Sequence, residues 1–322
     1  MDRNSILVLA NPAEATLSYL ERLPPDTSMA VGEDPEAFRN MAGAADIILS
    51  WSTKKGLLEA VFAIAPNVKW VHSRAAGLDG LLFPALVGSP AALTNGRGVF
   101  SQSLGEFAMA AVLFFAKDLR RMVRSQMAGK WDQFDIDEIR FQTMGIVGYG
   151  DIGRACSQRA KAFGMTVLGV RKSPEQSAGD PCVDRVYPME KLYEVLAKSD
   201  YVVVSTPLTS ETRGLIGDAA LRAMKPSSVL INLGRGPVIE EAALIRALKS
   251  RQIRGAAVDV FDVEPLPAGH PYYSLDNLLL SPHCADHTRD WLDQAMLFFI
   301  RNFERYRAGE SLLNVVDKTR GY

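Results

Sequence analysis

Cysteine is scarce: Cys156, Cys182 and Cys284 are the three in 322 residues, odd in number, unevenly spaced and without a CxxC pair. That excludes a disulfide framework and a cysteine zinc site, so no metal is expected and the thiols are read as reduced, in a cytoplasmic protein. Charge of one sign is also missing. Thirty-six basic against thirty-seven acidic side chains leave a net charge of -1, so no overall field draws the chain to polyanions and nucleic acid is not an expected partner. Long apolar runs are absent as well. The most apolar stretch, Phe107 to Ala116, has ten residues, far short of a membrane span, and Ile6 to Ala10 is too short for a secretory core segment. No membrane association is expected. There is no low-complexity tract and no repeat with a period of about 20 to 50 residues, which argues against a solenoid.

What is present is the composition of a globular protein, 48% hydrophobic and 23% charged. A chain of this length exceeds the usual span of one core, so two domains are expected, with a cleft between them open to a ligand. Strand patterns at Ile6 to Ala10, Ile47 to Ser50, Val68 to His72 and around Leu93 alternate with helical stretches near Ala13 to Arg22, Pro35 to Ala42 and Leu57 to Ala65. Such alternation implies parallel strands with crossover helices. Ser103 with Glu106 reads as a capping box, opening a helix that runs to about Met127. Six further strands follow, at Thr143 to Val147, Thr166 to Val170, Tyr201 to Ser205, Val229 to Leu233, Gly255 to Val258 and Leu278 to Ser281. They predict a second doubly wound sheet. A last helix, Arg289 to Arg307, is expected to return to the first domain. The fold class is therefore α/β, with one domain from residues 1–102 plus 288–322 and the other from residues 103–287.

The segment MGIVGYGDIGRA places Gly148, Gly150 and Gly153 between a strand and a helix. In that context GxGxxG is a dinucleotide loop: one glycine for the turn, one for close approach of pyrophosphate, one for helix packing, with helix amides facing the anion. Tyr149, Asp151 and Ile152 belong to the same loop. After the next strand, where an NAD site offers Asp or Glu to the ribose, stand Arg171, Lys172 and Ser173. Two cations and a hydroxyl suit a 2′-phosphate, so NADP(H) is expected to be preferred, with NAD(H) possible.

Three more segments, INLGRGPVIEEAAL, GAAVDVFDVEPLP and LLLSPHCADHT, follow or end apolar strands and put polar residues at the carboxyl edge of the sheet. With the glycine loop, in this order and over nearly the whole chain, they resemble the D-isomer-specific 2-hydroxyacid dehydrogenases, in particular glyoxylate/hydroxypyruvate reductases. The resemblance implies two Rossmann-like or flavodoxin-like domains, an NAD(P) domain and a discontinuous substrate domain, with the active site in the cleft between them. It implies that Arg235 binds substrate, Glu264 is the acidic partner and His283 the catalytic histidine. The chemistry agrees: a 2-keto acid needs a proton for its oxygen, which imidazole supplies near neutral pH, oriented by a carboxylate, while guanidinium steadies the developing charge. The resemblance further places Asp259 near the nicotinamide, Ser101 and Thr206 beside the cofactor, and the backbone of Ala75, Ala76 and Gly77 on the substrate carboxylate. The resemblance also implies a homodimer, with Trp131 in GKW at its interface.

The remaining histidines, His72, His270 and His287, lack catalytic context and are read as structural, as is Cys284; Trp51, Phe100 and Trp291 are candidates for the pocket wall. Phosphoglycerate, formate and phosphite dehydrogenases share the resemblance. Against them stand the short stretch after the last helix, Glu264 in place of glutamine, and Ala76 in place of lysine. The reading is thus a reductase of a small 2-keto acid; the alternatives are a weakly catalytic, NADP(H)-sensing scaffold and a relative that uses NAD.

Overall fold

A computed structural model describes residues 4–321. They form two compact units, one reaching Val99 and resuming at Arg289, the other spanning Phe100–Thr288.

The first unit holds a parallel sheet of β1 (Ser5–Leu9), β2 (Ser28–Gly32), β3 (Ile47–Ser50), β4 (Trp70–Ser73) and β5 (Ala92–Asn95), in the order β2-β1-β3-β4-β5. This is the flavodoxin-like winding. β3 and β4 are buried along their whole length, as central parallel strands covered on both faces must be. β2 is absent from the sequence reading because its residues, SMAVG, are only partly buried at the sheet edge and carry little apolar pattern; its pairing with β1, Ser5 against Ser28, makes it a strand. Two expected α-helices are tighter: Ala15–Arg22 is a 3-10 helix, and Pro35–Phe38 is a 3-10 turn leading into one α-turn, Arg39–Ala42. The last helix, Trp291–Arg307, lies on this sheet, with Phe299 and Tyr306 stacked on the Trp70 indole, each at 5.4 Å between ring centroids.

The second unit has a seventh strand beyond the six expected. β6 (Thr143–Val147), β7 (Thr166–Val170), β8 (Arg185–Tyr187), β9 (Tyr201–Val204), β10 (Val229–Asn232), β11 (Gly255–Val258) and β12 (Leu278–Leu280) run parallel in the order β12-β11-β10-β9-β6-β7-β8. The unforeseen β8 has three residues, RVY, too few to show a period. Winding reverses between β6 and β9, the place where ligands bind such sheets.

The helix expected from Ser103 to Met127 is two helices, Ser101–Ala116 and Leu119–Met127, broken at Asp118, whose φ of 44° is left-handed. Ser103 is no cap. Its hydroxyl donates to the Ala285 carbonyl at 2.7 Å, and Glu106 pairs with Arg159 at 3.2 Å, so both residues serve tertiary contacts inside the helix. Gly105 lets this helix lie on helix Asp151–Ala162, since a Cβ there would come within 2.9 Å of the Ala155 carbonyl.

His72 is fully buried in β4, with Nδ1 at 2.7 Å from the Thr94 hydroxyl and Nε2 without a partner. Burial lowers its pKa from 6.5 to about 3, so the ring is neutral in the folded chain. The folded value lies below the unfolded one; stability is therefore complete above pH 6.5 and is lost as pH falls toward 3. Between pH 6.5 and 5 the loss is about 2 kcal/mol. Denaturant unfolding at both pH values is expected to show that loss in the parent protein and not in His72→Asn; parallel losses in the two would refute it.

Candidate active site

The site is built at the carboxyl ends of strands in the second unit. Beyond β10, Gly234 and Gly236 wedge the Arg235 loop between its neighbours: a Cβ on Gly234 would come within 2.7 Å of the Thr206 carbonyl oxygen, and one on Gly236 within 2.0 Å of the Phe261 carbonyl carbon. The Asn232 amide closes the loop, accepting from Gly234 N at 3.1 Å and donating to the Arg235 carbonyl at 3.1 Å. Arg235 itself is half-buried and donates to the Gly234 carbonyl at 2.9 Å.

Beyond β11, Asp259 is buried, and its Oδ1 accepts from the Ser281 hydroxyl at 2.5 Å and from the amides of Cys284 and Ala285 at 2.9 and 3.1 Å. One carboxylate oxygen thus folds the loop that carries His283. Within that loop His283 has a φ of 51°, in the left-handed region. Glu264 is anchored through Oε1, which accepts from Phe261 N at 2.9 Å, and its Oε2 stands 2.7 Å from His283 Nδ1. The imidazole side chain is 41% exposed, and no described residue hydrogen-bonds Nε2. The arrangement is a carboxylate–imidazole pair with one ring nitrogen open to a ligand.

Beyond β6, Gly148 has a φ of 94°, and a Cβ on it would come within 2.7 Å of the Thr206 amide. Gly153 is as tight, 2.8 Å from the Gly148 carbonyl oxygen, whereas a Cβ on exposed Gly150 would meet nothing. Two glycines serve the protein's own packing. The third leaves open space at the start of helix Asp151–Ala162.

Residues 109–285 match the family profile "D-isomer specific 2-hydroxyacid dehydrogenase, NAD binding domain". The glyoxylate reductase of Korarchaeum cryptofilum is 34% identical over 269 residues, 80% of this chain and 79% of that one. The chain belongs to the D-isomer-specific 2-hydroxyacid dehydrogenase family. A solved member from Xanthobacter autotrophicus, in complex with NADPH and MES, superposes with a TM-score of 0.84 at 31% identity, covering 100% of both chains. An NADPH-dependent glyoxylate/hydroxypyruvate reductase from Sinorhizobium meliloti, in complex with NADP and sulfate, gives 0.86 at 26% identity, covering 99% and 100%.

As a 2-hydroxyacid dehydrogenase, the chain is an oxidoreductase that takes a nicotinamide cofactor, and its residues fit that group. The open space at Gly150 lies at the N-terminus of helix Asp151–Ala162, the end of a helix that suits an anion, and the Thr206 hydroxyl is buried without a hydrogen bond beside Gly148. Ser101 is the buried first residue of its helix. Asp151 is exposed and Ile152 half-buried in the first turn of the next helix. The Tyr149 ring packs on Gly169 and its hydroxyl donates to Asp180 at 3.1 Å, while burial pushes the phenol up to about 12. At the end of β7, Arg171 holds Ser177 Oγ at 2.6 Å and Gln176 Oε1 at 2.5 Å, and Lys172 pairs with Glu211 at 2.9 Å. Ser173 opens the short turn Pro174–Ser177 that Arg171 grips.

In the first unit, Ala75, Ala76 and Gly77 follow β4. The Ala75 carbonyl accepts from Gly96 N at 3.2 Å and the Ala76 carbonyl from Asn95 Nδ2 at 2.6 Å, while the three amides donate to no described acceptor. Among the other candidates, Trp51 and Phe100 are buried. His270 is structural, between Glu241 at 3.1 Å and Tyr272 N at 3.3 Å. All three cysteines are free, and burial pushes the Cys156 thiol up to about 12. Among the described residues no group of acidic, His and Cys side chains could hold a metal, and no helix is long and apolar enough to cross a membrane.

One residue had no signal in the sequence. Asp286, three places after His283, has a buried Oδ1 without a hydrogen bond and lies 3.7 Å from His287 Nε2. Burial holds its carboxyl above the usual range, opposed by the positive charge of His287 and then His283.

Proposed function

We propose that this dehydrogenase is an NADPH-preferring reductase that converts a small 2-keto acid, of the glyoxylate or hydroxypyruvate kind, to the D-2-hydroxyacid. The observation that carries the reading is the Glu264–His283 pair at 2.7 Å with Nε2 left open. When bound, the nicotinamide supplies a hydride. His283 Nε2 holds the proton for the substrate oxygen, Glu264 fixes the tautomer and orientation from Nδ1, and Arg235 binds the substrate and offsets charge on its oxygen. The free amides of Ala75, Ala76 and Gly77 suit the substrate carboxylate, since small residues let backbone donors come close. In this reading the Phe100–Thr288 unit binds the cofactor through the Gly148–Gly153 loop, Ser101, Thr206 and Asp259, and the other unit binds substrate.

The cofactor preference rests on Arg171, Lys172 and Ser173. The Lys172–Glu211 pair is solvent-exposed on both sides, a contact worth about 0–1 kcal/mol, whereas charge-assisted bonds to a phosphate are worth roughly 1.5–3 kcal/mol each. A 2′-phosphate therefore outcompetes the resting partners.

The dimer rests on an exposed apolar strip on the second unit: Val123 is 53% exposed, Met127 84% and Trp131 91%. Such a strip is a surface that a partner covers, and we assign it to a second copy.

Three measurements test these points. NADPH oxidation with glyoxylate, hydroxypyruvate, pyruvate and phenylpyruvate, with chiral analysis, is expected to give D-products; His283→Ala and Arg235→Ala are expected to lower kcat about 100- to 10,000-fold, and Glu264→Ala to lower it as well, with folding unchanged. Near-normal rates in the first two reject the site. Steady-state constants with both cofactors should favour NADPH, and Arg171→Asp should move preference toward NADH; a parent ratio near one sinks that assignment. Light scattering should give a dimer that Trp131→Glu weakens, and a monomeric parent would end the dimer proposal.

A further inference from the structure

Arg74 directly follows β4 in the first unit, immediately before Ala75, and its amide donates to the Ser50 carbonyl at 3.2 Å, tying the residue to β3. Its guanidinium lies 5.5 Å from the Trp51 ring centroid and 5.5 Å from that of Trp291. Half-buried, it makes no ion pair and no side-chain hydrogen bond with any described residue. The carboxylate that acts on it, Glu14, does so only at a distance, and burial lowers the guanidinium pKa. Trp51 is 1% exposed, and its indole Nε1 is likewise buried without an acceptor. The two neighbouring side chains thus present N–H donors with nothing to receive them.

This is an unusual state for a guanidinium. The two ring faces attract the charge, by roughly 0.5–2 kcal/mol each, but they consume none of its five in-plane donors. The indoles restrict the arginine's rotamers and remove water, while its hydrogen-bonding capacity stays unspent. A desolvated, restrained cation of this kind gains most from an anion that arrives with two oxygens. The carbonyls of Ala75 and Ala76 are held by Gly96 and Asn95, and the amides of Ala75, Ala76 and Gly77 donate to no described acceptor, so the donors continue along one stretch of backbone.

We propose that Arg74 is a specificity-determining residue that receives a second anionic group, a carboxylate or a phosphate, carried on the side chain of the 2-keto acid. The proposal rests on the functional reading above, which gives the amides of Ala75–Gly77 to the first carboxylate. The reaction and the carboxylate site of that reading are kept, while Arg74 moves the preference among small 2-keto acids from glyoxylate and hydroxypyruvate to those that carry a second anion. Trp51 and Trp291 are positioning residues for the guanidinium.

The test compares kcat/KM for oxaloacetate and 3-phosphohydroxypyruvate with that for glyoxylate and hydroxypyruvate, in the parent protein and in Arg74→Met and Arg74→Lys. The expected result is a parent ratio favouring one of the doubly anionic acids, falling about 10- to 100-fold in Arg74→Met, chiefly through KM, and partly restored in Arg74→Lys. Which of the two acids loses more separates carboxylate from phosphate. A ratio unchanged by Arg74→Met, or a parent that prefers the singly anionic acids, overturns the proposal. A second arm titrates D-malate against D-lactate and follows indole fluorescence, which Trp51 and Trp291 make sensitive to this place. D-malate binding that Arg74→Met abolishes, in a protein that reduces no keto acid, keeps the subsite and rejects the reductase reading; reduction of keto acids with D-malate and D-lactate bound alike rejects the subsite alone.

Discussion

Asp259 Oδ1 gathers one hydroxyl and two amides from the segment Ser281–Ala285, and the placing of His283 at the carboxyl edge of the sheet depends on that gathering. Hydrogen bonds contribute about 0.5–1.5 kcal/mol each, and three on one oxygen are enough to hold a loop that contains an unfavourable residue. That residue is His283, whose left-handed backbone costs an L-amino acid about 1–2 kcal/mol. The strain has a use: the imidazole faces Glu264 on one side and leaves its other nitrogen accessible. Without the carboxylate beneath, nothing in the local sequence would keep His283 in this conformation.

The parallel sheet makes the arrangement possible at a larger scale. Every strand of the second unit presents its carboxyl end at the same edge, so loops far apart in the chain become neighbours. Glycines decide how near they come. Gly148 lies against the Thr206 amide, Gly234 against the Thr206 carbonyl and Gly236 against the Phe261 carbonyl, so the loops beyond β6, β9, β10 and β11 pack backbone to backbone. A methyl group at any of these positions would push apart the Gly148–Gly153 loop or the Arg235 loop.

Parts of the reading that depend on local pattern were legible in the sequence. The apolar strands IILS and VLIN, the helix Leu57–Ile64 and the glycine loop carry their periods and punctuation in a few residues. The edge strands β2 and β8 were not legible, because three to five residues of mixed polarity become strands only through a paired neighbour. The break at Asp118 was hidden because the pattern on either side is helical and the left-handed residue between is an aspartate, which lacks the mark a glycine would leave. Ser103 and Glu106 misled because a capping box and two tertiary contacts have the same spelling.

The sequence by itself determined the fold class and the kinds of side chain available for chemistry, since hydrophobic period and motif order are properties of the chain read in line. Only the tertiary structure decided which of them meet. The 2.7 Å contact of Glu264 with His283, the buried Asp286 Oδ1 without a hydrogen bond and the seating of Arg74 against two indoles join residues separated by 19 positions or stand on loops shaped by distant strands. Such meetings are set by the close packing of buried backbone, which no local pattern records.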